Sequence, residues 1–259
     1  MKIRKIGFVG CGRIARIILR GLKKADRMPE KVFATDSRNE ATQSIKALFP
    51  GITASGEGMR GFEQADLIFL AVHTHVLMNV LLAIKPVLKP GTVVCSLASK
   101  ITIDKIALAL GGHDLVVRMN PNAPSIVNAG YNPVSFSPSY PDSLKGHFID
   151  FISTLGECPV VEEKKLEAFA VISAMGPTYL WFQLFELVDL ARRFGLDGEE
   201  AQAAVSSLAV GTGLTMSKSG LSPADIQDLV PVKPLGENEE EIRKIYQAKL
   251  TAVHLKLTS

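Results

Sequence analysis

The feature that most limits what this chain can become lies at its start, where "KIRKIGFVGCGRIARIILRGL" runs an apolar strand into two glycines and then a helix. Glycine weakens strands and helices, so Gly10 and Gly12 at this junction mark a backbone that turns tightly or is approached closely. The pattern is Gly10-x-Gly12-x-x-Ala15. Gly10 permits the turn, Gly12 leaves room for a pyrophosphate, and Ala15 lets the helix lie close on a sheet. The backbone N–H groups around Cys11, Arg13 and Ile14 open the helix and face the phosphates. A second strand, "KVFATD", ends in Asp36 at about the distance a dinucleotide site requires. Asp36 accepting both ribose hydroxyls points to NAD, whereas Ser37 and Arg38 around a 2′-phosphate point to NADP. Both stay open.

The first half of the chain alternates short β-branched runs with helical ones. "KIGFVG", "KVFATD", "ADLIFLAV", "GTVVCSLAS" and "DLVVRMN" read as strands, with helices over Arg13–Lys24, Glu40–Leu48 and "TIDKIALAL". "ADLIFLAV" is almost continuously apolar, as a strand covered on both faces must be. This alternation predicts a parallel, doubly wound sheet, with "NPVSFS" as an edge strand and "CPVVEE" as a further one. After Glu162 the strand signals stop, and helices are expected over Lys164–Ala174, Pro177–Phe194, Gly198–Ser219 and Glu239–Leu257. Pro177 suits a first helical turn, Gly195 an end, and Ser222-Pro223 another start. Two domains are therefore expected: 1–161, which binds the dinucleotide, and 162–259, an all-helical substrate and dimerisation domain.

Composition narrows the partners. A net charge of +3 spread along the chain argues against nucleic acid as the main partner. Cys11, Cys95 and Cys158 are widely spaced and odd in number, so neither a zinc site nor a disulfide framework is expected. No apolar run reaches membrane-spanning length without a charge or a breaker, and no secretory h-region precedes the first strand. The expected location is the cytoplasm.

Several segments together resemble pyrroline-5-carboxylate reductase, which reduces a cyclic imine in proline biosynthesis. "GFVGCGRIA" is similar to that family's cofactor loop, and "ADLIFLAV" to the strand before its next cofactor contact, here Ala71, Val72 and His73. "VVRMNPNAPSIVNAG" is similar to its Arg-x-Met-Pro-Asn-x-Pro segment, and "VISAMGPTYLWF" to its Ser-Gly-Ser-Gly-Pro-Ala-Tyr signature. "LVDLARRFGL" and "SGLSPADIQDLV" extend the likeness over nearly the whole chain. Ser173, Gly176, Pro177 and Tyr179 match the signature, while Ala174 and Met175 replace a glycine and a serine. His73-Thr74 replaces a Lys-Pro, Ser99-Lys100 an Ala-Gly, and "PVKPLGEN" stands where the family has Ser-Pro-Gly-Gly-Thr-Thr. The resemblance implies an α/β fold, a Rossmann-type doubly wound parallel sheet followed by a helical domain, with NADP or NAD as cofactor and an intertwined homodimer.

Hydride transfer needs the nicotinamide C4 held about 3–3.5 Å from an electrophilic carbon, with water excluded. A protonated imine arrives activated, so an acidic side chain is dispensable, whereas a ketone needs a donor to its developing alkoxide. Asn122, after a strand's carboxyl end, is a candidate to orient nicotinamide or substrate, or else caps an Asx turn. The resemblance puts Ser173 and Thr178, as catalytic candidates beside Asn122, with Met175, Gly176 and Pro177 at the substrate pocket, where N–H groups of the Pro177 helix can hold a carboxylate. Lys100 reads as an acid for a carbonyl, a carboxylate anchor or a solvated loop lysine. The leading expectation is an NAD(P)H-dependent reductase acting on a C=N group of a small acid. The alternatives are a β-hydroxyacid dehydrogenase, disfavoured because Pro177–Phe194 has no lysine, and a non-catalytic dinucleotide sensor.

Overall fold

The computed structural model describes residues 2–56 and 58–258. The expected alternation is present as β1 (Lys5–Val9), α1 (Arg13–Lys24), β2 (Lys31–Thr35), α2 (Asn39–Leu48), β3 (Thr53–Ser55), β4 (Leu67–Leu70) and α3 (Thr74–Ile84). It continues through β5 (Val93–Ser96), α4 (Ile103–Ala109), β6 (Val116–Met119), β7 (Gly130–Tyr131), β8 (Val134–Phe136), α5 (Asp142–Ile152) and β9 (Gly156–Glu157). One seven-stranded sheet runs β3-β2-β1-β4-β5-β6-β8, and every pairing is parallel except β6 with β8. β8 is the edge strand that "NPVSFS" predicts. "CPVVEE" supplies only an isolated parallel bridge, Val134 with Val160, because Pro159 has no N–H to extend a ladder.

The sheet is apolar on both faces, which is why its strands read as continuous hydrophobic runs. Leu67 and Phe69 of β4 enter one core with α1 and α5, and Ile68 and Leu70 enter the other with α3 and α4. Chain order reverses between β1 and β4, so β2 and β3 lie to one side and β5 and β6 to the other. At such a switch point a doubly wound sheet opens a crevice beyond the carboxyl ends of its strands.

Helices follow: α6 (Leu166–Phe169), a π-helical turn over Ala170–Ala174, α7 (Pro177–Arg193), α8 (Gly198–Lys218), α9 (Pro223–Asp228) and α10 (Glu239–Thr258). Residues through Met175, with the last turn from His254, form one compact unit, and Gly176–Val253 form the other. Arg118, buried in β6, pairs its guanidinium with Glu163 at 2.9 Å and Glu167 at 2.6 Å. That pairing ties the segment before Met175 to the sheet.

Within the second unit, α8 starts with a capping box. Asp197 accepts the N–H groups of Glu199 and Glu200, and Glu200 accepts that of Asp197. α9 repeats the device with Ser222 and Asp225. The apolar side chains of α7 are left outward, with Phe182 68% and Phe185 62% exposed.

Candidate functional site

The glycine loop divides its two glycines between different tasks. Gly10 has φ +102, and a Cβ there would lie 2.4 Å from the carbonyl oxygen of Ala71, so the turn excludes any side chain. Gly12 has an ordinary φ of −73, and a Cβ there would meet no protein atom within 4 Å. Protein packing therefore makes no demand for a glycine at 12. The open space beside it lies at the N-terminus of α1, whose first turn carries no acidic residue and receives no side-chain cap. Ala15 is fully buried, as close seating of α1 requires. These features fit a dinucleotide diphosphate, with the N–H groups of Arg13 and Ile14 as donors.

Asp36 follows β2, its side chain 9% exposed, and both its oxygens are engaged. Oδ2 accepts the Cys11 N–H at 2.9 Å, and Oδ1 accepts the Arg38 N–H at 2.9 Å and Arg38 Nε at 3.3 Å. Burial is the strongest single influence on this carboxyl and opposes its charge, but the N–H donors of Arg38 and Cys11 and the Arg38 side chain together hold its pKa below 3.8. The charged Asp36 thus ties the glycine loop to the segment of Ser37 and Arg38. Cys11 itself points into the core, where burial first and Asp36 second push its thiol up to about 12. It is a packing residue that supplies a backbone N–H.

Ala71 and Val72 continue from β4 into the same crevice, the Ala71 N–H donating to Val9 O at 2.8 Å. His73 caps α3 through backbone alone and its ring lies parallel to that of His75, centroids 5.8 Å apart. No cluster of three or more potential metal ligands occurs among the described residues. Thr74 Oγ1 donates to Ser99 O at 3.1 Å and so joins the start of α3 to the turn after β5. In that turn Lys100 is exposed, with φ +71.

Asn122, after β6, is 7% exposed. Its Oδ1 accepts the Tyr131 N–H at 3.0 Å and its Nδ2 donates to Ser173 O at 3.4 Å. The structure therefore brings Asn122 and Ser173 together. Asn122 braces the π-helical turn, in which the Met175 N–H reaches back to Ala170 O at 3.0 Å. Ser173 Oγ donates to Phe169 O at 2.8 Å. Insertions of this kind recur at functional sites because they re-aim one turn of side chains. Gly176, Pro177 and Thr178 begin the second compact unit, with Pro177 at the first position of α7.

Arg118, Glu163 and Glu167 were not marked by sequence patterning. The available signal was an arginine inside the apolar run "VVRMN", which must find acids when buried. Glu163 also accepts the Ile103 N–H at 2.7 Å, and Glu167 the Lys100 N–H at 3.3 Å.

Two family models match the chain. Residues 5–100 match "NADP oxidoreductase coenzyme F420-dependent", and residues 163–256 match "Pyrroline-5-carboxylate reductase dimerisation". The chain is 27% identical over 241 residues to the pyrroline-5-carboxylate reductase of Escherichia coli strain K12, covering 93% of this chain and 89% of that one. Its structure is similar to that of a pyrroline-5-carboxylate reductase from Coxiella burnetii, with a TM-score of 0.71 and 25% identity over 100% of this chain and 95% of that one. The fold is also that of a pyrroline carboxylate reductase from Plasmodium falciparum, solved with NADP bound, with a TM-score of 0.82 and 20% identity over 100% and 98% of the two chains.

Proposed function

The chain belongs to the pyrroline-5-carboxylate reductase family, and we propose that it is an NADPH-dependent reductase of a small cyclic imine bearing a carboxylate. The observation that carries this reading is the glycine loop, whose Gly12 opens onto space that protein packing leaves clear, in a chain alike to these reductases along its whole length.

Each residue's part follows from its surroundings. Gly10 sets the turn, and Gly12, Arg13 and Ile14 seat the diphosphate on α1. With Asp36 drawn toward Cys11 and Arg38, the exposed Arg38 guanidinium and the Ser37 hydroxyl suit a 2′-phosphate, which favours NADP over NAD. Ala71, Val72 and His73 line the next stretch of the crevice. When bound, the reduced nicotinamide supplies a hydride to the C=N carbon, while the nitrogen already carries its proton. Asn122 positions the turn bearing Ser173, and Ser173, Met175, Gly176, Pro177 and Thr178 contribute to substrate binding. An activated iminium explains why no histidine or lysine acid need reach the reacting carbon.

The apolar surface of α7 has a matching account. The helical stretch Glu163–Arg193 is long and apolar enough, by length and composition, to cross a membrane. We read that surface as subunit contact in a homodimer, because the dimerisation match covers 163–256 and because Gly176 and Pro177 interrupt the stretch.

The test is turnover. Purified protein with NADPH and pyrroline-5-carboxylate should lose the reduced-nicotinamide absorbance, and with small ketoacids it should not. Tight NADPH binding with no oxidation across imines and ketoacids would favour a sensor instead.

A further inference from the structure

We propose that Lys100 determines substrate specificity by pairing its ammonium with the substrate's carboxylate, an inference that deepens the reductase reading and rests on it. The starting point is a backbone cost. Three described non-glycine residues have positive φ: Asp26, Asn128 and Lys100. Aspartate and asparagine tolerate this region through their short polar side chains, and Asn128 uses its amide to bond Gly21 O and Thr154 O. Lysine has no such compensation. At φ +71, Lys100 is the centre of a tight turn closed by the Ile101 N–H on Ser99 O at 2.9 Å. A glycine would make this turn without strain.

The strained turn is held from several sides. The Lys100 N–H donates to Glu167 Oε1 at 3.3 Å, and the same oxygen is gripped at 2.6 Å by Arg118, itself 2% exposed. Glu163 takes the other arm of Arg118 and the Ile103 N–H. Thr74 fixes Ser99 from the opposite side. A residue kept in a costly conformation by a buried network is what a positioned functional group looks like. What lysine adds to glycine here is a cation on an exposed residue, with no side-chain partner among the described residues.

Position and chemistry identify the anion. Lys100 follows the carboxyl end of β5, which lies two strands from β1 on the side opposite Asp36. Two interstrand spacings set the carboxyl end of β5 about 10 Å from that of β1, so the turn beyond β5 lies to the nicotinamide side of the diphosphate loop. The phosphates therefore fall to α1 and Arg38. An ammonium beside the C=N nitrogen would oppose the iminium charge, so its productive contact is with the acid group.

Lys100→Gly keeps the turn and removes the cation. Its melting temperature is expected to rise by about 2 °C as strain is released, while KM for pyrroline-5-carboxylate rises about tenfold with kcat changed less than about twofold. The wild-type KM should increase with ionic strength, and this dependence should flatten in Lys100→Gly and return in Lys100→Arg. NADPH affinity should be unaltered. An unchanged KM, a loss confined to kcat, or a tenfold loss of NADPH affinity would overturn the proposal, the last by placing the anion on the coenzyme. If the wild type oxidises no NADPH with any imine, the reductase reading fails by that result. Lys100 is then judged by calorimetry of L-proline and L-prolinamide on the NADP-loaded protein. Preference for the acid in the wild type, lost in Lys100→Gly, sustains the proposal; equal binding of the two, or binding of neither, overturns it.

Discussion

Changing the two loop glycines separately distinguishes a fold requirement from a ligand requirement. At Gly10 both the backbone and the neighbours object: φ is +102, and a Cβ would lie 2.4 Å from Ala71 O. A side chain in the left-handed region costs about 1–2 kcal/mol, and relieving the overlap with the Ala71 carbonyl adds roughly 1–3 kcal/mol. Gly10→Ala should thus lose about 3 kcal/mol, which in a chain of this size lowers the melting temperature by about 6–12 °C. At Gly12 the backbone is ordinary and a Cβ meets nothing within 4 Å. Valine is a poorer N-cap than glycine but narrows the unfolded ensemble, so Gly12→Val should stay within about 1 kcal/mol of the wild type. Its effect falls on the coenzyme. A diphosphate held off α1 forfeits two charge-assisted hydrogen bonds, about 3 kcal/mol or two orders of magnitude in Kd. Thermal unfolding without coenzyme and calorimetric titration with NADPH measure the two effects independently. Normal NADPH affinity in Gly12→Val, or destabilisation equal to that of Gly10→Ala, would refute the assignment.

Further outcomes follow from the same geometry. Arg38→Ala should weaken NADPH about tenfold and leave NADH unaffected, measured by titration of each; equal losses would return the ribose to Asp36. Because the Asp36 pKa is lowered on folding, its contribution to stability is complete above 3.8 and disappears as pH falls below that value. Denaturant midpoints across acidic pH should therefore fall less steeply in Asp36→Asn than in the wild type. Arg118→Ala strands two acids and should cost about 3–5 kcal/mol in chemical denaturation. Phe182→Asp, on the exposed face of α7, should convert a dimer to monomers in sedimentation velocity, and an unchanged mass would move the contact elsewhere.

The parts that short-range patterning reveals were legible. α1 runs from Arg13 to Lys24 as the pattern after the glycine loop indicates, and the apolar runs are the strands of a sheet buried on both faces. α3 gives no such signal, because "THVLMNVLLAI" is apolar almost all round and shows no stripe. The relations that escaped reading join residues far apart in the chain. Arg118 meets Glu163 and Glu167 across a long sequence gap, and that contact holds the segment after Glu162 to the sheet. Asp36 and Asn122 stand out in the sequence, but their bonds to Cys11, Tyr131 and Ser173 do not. The strain at Lys100 is a backbone angle to which the only pointer in the sequence is a lysine standing where the resembled family has a glycine.

The most direct test of the account follows the hydrogen itself. The protein is incubated with pyrroline-5-carboxylate and NADPH deuterated at the transferable C4 position, and the recovered amino acid is weighed by mass spectrometry. Proline carrying a single deuterium on the former imine carbon is the predicted result. Proline without label, or no proline while the coenzyme remains bound and reduced, would contradict the account.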